Sequence, residues 1–139
     1  MYRHILIATD LSPAAEQVCN RAQQLAQLTG AKLSIVHVIE INFSYSFTYS
    51  WPEDLIEELT KEVKAQFLNL GEHYGIDTKD QYIVEGISTV KVLELAKNLN
   101  VDCIMVGKKE HNVLHGILGS TASAILRHAE ADVLAVVVK

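Results

Sequence analysis

The sequence predicts an α/β fold, a five-stranded parallel sheet with helices on both faces, in one domain over residues 1–139. Short apolar strand patterns alternate with helical stretches long enough to serve as crossovers, which parallel strands require. The strands are apolar almost throughout, as expected of strands buried on both faces. Hydrophobic residues make up 49% and charged residues 21% of the 139, enough apolar material for a core and no sign of disorder.

The first strand is His4-Ile-Leu-Ile-Ala-Thr9, ending at Asp10. Ser12 is placed to cap the next helix, with Pro13 in its first turn and Glu16 inside it. Val18, Ala22, Leu25 and Ala26 form that helix's apolar stripe, and Thr29-Gly30 stops it. Leu33-Ser-Ile-Val-His-Val38 is the second strand. Residues 41 to 50 alternate aromatic and small polar side chains; this suits a strand, but we favour an aromatic loop over the sheet edge. Trp51-Pro52-Glu53-Asp54 opens a long helix whose buried face is marked by Ile56, Leu59, Val63, Phe67 and Leu70. Gln81-Tyr-Ile-Val84 is the third strand, emptying into Glu85-Gly-Ile-Ser88, and Ser88 is a candidate cap for a helix through Val92, Leu95 and Ala96. Val101-Asp-Cys-Ile-Met-Val106 is the fourth strand, a helix follows through Ala122, Ile125 and Leu126, and Val133-Leu-Ala-Val-Val-Val138 is the fifth.

Composition narrows the function classes. The net charge of -5 argues against a broad nucleic-acid surface, which needs clustered Lys and Arg. The opening residues lack a signal-peptide pattern and no apolar run reaches membrane length. Cys19 and Cys103 fall in helix and strand patterns and read as small buried hydrophobes, with no metal-knuckle or disulfide spacing. These features together point to the cytoplasm.

Ligands of such folds sit beyond the C-terminal ends of the strands. Here those ends carry Asp10, His37-Val38, Gly86 and Gly107, and the fold is expected to gather some of them around one cleft. Asp10 suits either a ribose hydroxyl or Mg²⁺ beside phosphate, or equally the backbone N–H groups of its own loop. Gly107 ends the fourth strand where the chain must turn tightly or approach a ligand. Gly119-Ser120-Thr121 stands just ahead of the last helix or forms its first turn, where free N–H groups and hydroxyls suit phosphate, while plain capping explains Ser120 equally well. Lys108 and Lys109 would neutralise phosphate or face solvent, and Glu110 opposes a tight triphosphate grip. His37, His111 and His115 invite Zn²⁺, but their spacing matches no ligand signature, so no metal is assigned. The chain has neither a Walker A sequence nor a G-x-S-x-G elbow, and no catalytic residue is assigned. The last strand has no proline and no charge before Lys139. At a sheet edge it would be an aggregation hazard unless a second copy covered it through a two-fold contact.

Taken together, His4-Ile-Leu-Ile-Ala-Thr-Asp-Leu-Ser12, Leu33–Val38, Gly86, Val101–Gly107, Gly119-Ser-Thr-Ala-Ser-Ala-Ile-Leu-Arg-His-Ala129 and the closing valine strand resemble the universal stress protein family, in its UspA-like form. The resemblance spans essentially the whole chain. It implies a Rossmann-like sheet of strand order 3-2-1-4-5 and a homodimer joined through residues 133–138. Nucleotide-binding members carry G-x2-G-x9-G-[ST] for ATP phosphates. Asp10 resembles their early acidic residue and Val38 their adenine-contacting backbone position, and Gly107, Gly119 and Ser120 align with motif landmarks. Thr121 extends that stretch. Glu110 stands in place of the second glycine, and eight residues separate it from Gly119 where the motif has nine. Losing a glycine with free φ and adding a carboxylate both oppose a phosphate nest. The resemblance therefore implies a dimeric cytoplasmic stress-response protein acting by binding or regulation without turnover, on protein clients it does not identify. The alternative is an ATP-binding sensor with Mg²⁺ and slow hydrolysis.

Overall fold

The computed structural model describes residues 1–40, 53–109 and 119–139. In chain order they form β1 (His4–Ala8), α1 (Ala15–Thr29), β2 (Lys32–Glu40), α2 (Glu53–His73), a 3₁₀ turn (Thr78–Asp80), β3 (Gln81–Gly86), α3 (Ser88–Asn98), β4 (Cys103–Lys109), α4 (Ser120–His128) and β5 (Asp132–Val138). The sheet is parallel throughout, in the order β3-β2-β1-β4-β5. That is the expected order, and it leaves β5 at an edge. The aromatic segment expected over the sheet edge, together with Trp51 and Pro52, lies outside the described residues.

Strand alternation splits the core in two. Ile5, Ile7, Ile35 and Met105 face one side with Val18, Cys19 and Ala22 of α1 and Phe67 of α2. Leu6, Val36, Val38 and Ile104 face the other with Val92 and Ala96 of α3 and Ala122 and Ile125 of α4. None of the described helices is long and apolar enough to cross a membrane.

Gly30 ends α1 in the left-handed conformation, φ 75°, and its N–H donates to the Ala26 carbonyl at 2.8 Å. A methyl group there would meet nothing within 4 Å, so the cost of a side chain is conformational. Gly30→Ala is expected to destabilise the fold by about 1–2 kcal/mol, measured by urea unfolding.

Two caps expected from sequence are replaced by other arrangements. Ser12 does not cap α1: its N–H is drawn to Asp10 Oδ1 at 2.9 Å, closing a turn through Leu11 (φ 58°), and its carbonyl accepts from Ala15 N–H at 2.9 Å. The helix therefore starts after Ala14, which makes no side-chain cap. Ser88 is already the first residue of α3, behind Ile87, and makes no capping bond.

The buried face expected of α2 holds only in its second half. Phe67 is buried and Val63 and Leu70 are half-buried, but Ile56 and Leu59 are 52% and 47% exposed. Length explains this. The 21 residues of α2 span roughly 30 Å at about 1.5 Å each, whereas the six of β3 cover roughly 20 Å at about 3.3 Å each. The first turns of the helix outrun the strand at that edge.

At the N-terminal end of the sheet, the Asp102 carboxylate accepts from the N–H groups of Arg3 (2.6 Å) and His4 (2.8 Å), joining the start of β1 to the approach to β4. These two donors hold its carboxyl below the ordinary value of 3.8. A depressed acid stabilises the fold above its unfolded value and loses that contribution as pH falls through the lower folded value. Asp102→Asn is thus expected to flatten the acid limb of stability, seen as a smaller fall in urea midpoint between about pH 5 and pH 3.

Candidate functional site

The three parallel strands β2, β1 and β4 end along one side of the sheet, and a cleft of about 530 Å³ opens there. Its floor comes from Ala8, Val36 and Val106, and its walls from Val18 of α1, Ser88 and Val92 of α3, and Thr121, Ala122 and Ile125 of α4. Asp10, His37, Val38, Glu40 and Gly107 line it as well. Crossover connections put every strand's C-terminal end on this side, so residues distant in sequence meet here.

Thr9 organises the β1–α1 corner. Its N–H donates to the Val36 carbonyl (3.0 Å), and its Oγ1 accepts from Leu11 N–H (3.1 Å). Its carbonyl faces His37 Nδ1 at 2.9 Å. A carbonyl only accepts, so Nδ1 carries the proton in that bond. Gln66 reaches across from α2, its Nε2 donating to the Leu11 carbonyl at 3.1 Å. The loop bearing Asp10 is therefore held from β2 and α2 together.

Of the six residues proposed from sequence, Asp10, Val38, Gly107 and Thr121 line the cleft, while Gly119 and Ser120 stand beside it at the start of α4. Asp10 does what its backbone-accepting alternative foresaw, closing the turn onto Ser12 N–H while facing the cleft. Gly107 lies within β4, opposite Val136, and two further strand residues follow it, so it marks no tight turn. The lack of a side chain there serves packing: an added methyl would lie 3.3 Å from Val18 Cγ2 and 3.7 Å from Val138 Cγ1. Gly119 has φ -54° with no atom near a notional Cβ, so it needs no glycine conformation. Gly119→Ala is expected to leave stability within about 0.5 kcal/mol of wild type by thermal or urea unfolding, and to keep the N–H a phosphate would use. Ser120 is the first helical residue and makes no capping bond. Gly86, with φ 140°, ends β3 outside the cleft lining. Glu110, His111 and His115 lie outside the described residues.

Sequence reasoning missed Glu40 and the cleft-lining place of Ser88. It ended the second strand at Val38, although Ile39 continues the apolar run that carries the pairing to Glu40 opposite Gly86. The cysteines behave as expected. Both are fully buried, and burial pushes the Cys19 thiol up to about 12, leaving it a packing group at neutral pH.

The model of the universal stress protein family matches residues 1–137. The chain belongs to that family. Universal stress protein A homolog 1 of Coxiella burnetii is 40% identical to it over 141 residues, with 99% of this chain and 98% of the relative covered. A putative universal stress protein of Staphylococcus aureus is 34% identical, with 97% and 84% covered. Among solved structures, that of the hypothetical protein MJ0577 superposes with a TM-score of 0.79 at 28% identity, covering 100% of this chain and 98% of the other. A universal stress protein in complex with cAMP superposes at 0.70 and 23% identity, covering 97% and 96%, and shows the shared fold.

Proposed function

We propose that this universal stress protein serves a cytoplasmic stress response by binding or regulation, without catalytic turnover, as a two-fold pair joined along β5. The edge position of β5 carries this reading. Among the described residues no strand neighbours its outward backbone groups, and its run of valines bears no charge before Lys139. A second β5 would satisfy those groups in a self-complementary contact. Sedimentation equilibrium on the full chain is expected to give twice the monomer mass at micromolar concentration, with no phosphate release from ATP above background. A monomer at all concentrations, or steady turnover, would overturn the reading.

The cleft favours a second reading, in which an adenine nucleotide with Mg²⁺ is held there. Its volume lies within the range of small-ligand sites. In this reading Val38 would meet the base and Asp10 the ribose, with the phosphates over Gly107 toward the first turn of α4 at Gly119, Ser120 and Thr121, since the first N–H groups of a helix have no partner within it. That a protein of this fold has been solved with cAMP supports the class. Glu110, at the motif's second glycine, opposes it. Calorimetry with ATP and Mg²⁺ tests it, with wild type beside Glu110→Gly. If the negative charge of this residue is what opposes the phosphates, its removal is expected to tighten binding by about tenfold. Flat titrations from both chains would remove ATP from the reading.

A further inference from the structure

His4 sits at the end of the sheet opposite the cleft, where three elements meet on its ring. Nδ1 lies 3.3 Å from the carbonyl of Leu99, at the C-terminal end of α3, and Nε2 lies 2.7 Å from Oγ of Ser34 on β2. The carbonyl can only accept, so the ring proton belongs on Nδ1. Nε2 then accepts, and the Ser34 hydroxyl donates to it. Ser34 has no solvent exposure at all, and this bond satisfies its hydroxyl hydrogen.

Adding a proton at Nε2 inverts that bond. The Ser34 oxygen must become the acceptor and its own hydrogen must turn away into a buried strand interior, an unpaired donor next to a new charge. We propose that His4 is an acid-sensitive joint, which ties β1, β2 and α3 together while its ring is neutral and loosens them when the ring takes a second proton.

Burial disfavours the charged ring most, the Leu99 carbonyl favours it, and charged groups act in both directions. Lys32 at the start of β2 opposes the charged ring, while Asp80 from the 3₁₀ turn and Asp102 before β4 favour it. Lys32 and Asp80 are paired with each other at 2.9 Å, and Asp102 is engaged by the Arg3 and His4 N–H groups. Burial outweighs these influences and holds the imidazole below its ordinary 6.5. For a base so depressed, the folded state binds fewer protons. Stability is full above the ordinary value and declines as pH falls from there toward the folded value.

Ring-proton and nitrogen NMR of the full chain, titrated through the acid range, tests the joint on wild type. His4 is expected to show the Nδ1–H tautomer and to titrate below the ordinary 6.5. The wild-type folding constant should fall about tenfold for each pH unit separating the unfolded and folded values of His4, and His4→Gln should fall less. An Nε2–H tautomer, a midpoint at or above the ordinary 6.5, or equal pH slopes in wild type and a folded His4→Gln chain would overturn the proposal. The NMR arm decides the matter if the variant does not fold.

Discussion

Phe67→Ala is expected to destabilise the protein by about 3–5 kcal/mol. Phe67 is 3% exposed and packs in the same cluster as Cys19, Ile35, Tyr74 and Ile76. It is the fully buried large side chain of α2, because the earlier apolar positions of the helix project beyond the strand beneath. Truncation removes a ring's worth of buried apolar surface and leaves a cavity between α2 and the sheet that rigid strands cannot close. Ile56→Ala on the same helix is expected to stay within about 0.5 kcal/mol of wild type, since that side chain is already half in water. Urea midpoints at unchanged slope measure both. A Phe67→Ala cost no greater than that of Ile56→Ala would show that α2 is held by something other than this ring.

The paired substitution Ala135→Lys and Val137→Lys is expected to weaken a β5-mediated dimer by at least about a hundredfold. Both residues are exposed, and they stand two apart on one face of the edge strand, while Val136 and Val138 are buried on the other. In a two-fold contact each lysine is duplicated, so four ammonium groups meet along one seam. Like charges set against each other cost several kcal/mol, and each 1.4 kcal/mol is about tenfold in affinity. Because neither side chain belongs to the buried core, the folded monomer should survive, shown by a halved sedimentation mass with a cooperative urea transition retained, its midpoint lowered only by the lost association. A variant that remains dimeric would place the subunit contact elsewhere.

Much of the cleft's lining was legible in the chain because strand ends are. Apolar runs close at Asp10, just past Val38 and at Gly107, and in a parallel sheet all such ends lie on one side. What misled was local grammar. Ser12 and Ser88 look like helix caps, but α1 starts only after Ala14, two residues beyond Ser12, and Ser88 is already inside the first turn of α3. Gly107 looks like a turn, whereas its missing side chain makes room for Val18 and Val138, contacts across the fold that no neighbour in sequence announces.

By itself, the sequence determined the class of fold, the five strands and the alternation that sends Ile5 and Ile7 to one core and Leu6 to the other, because each depends on hydrophobic periodicity within a few residues. The tertiary structure alone decided which half of α2 is buried, which site residues share the cleft, and that His4 and Ser34 complete each other's hydrogen bonding at the far end of the sheet. Those outcomes depend on distances between segments, set by how far each helix runs over the strands it covers.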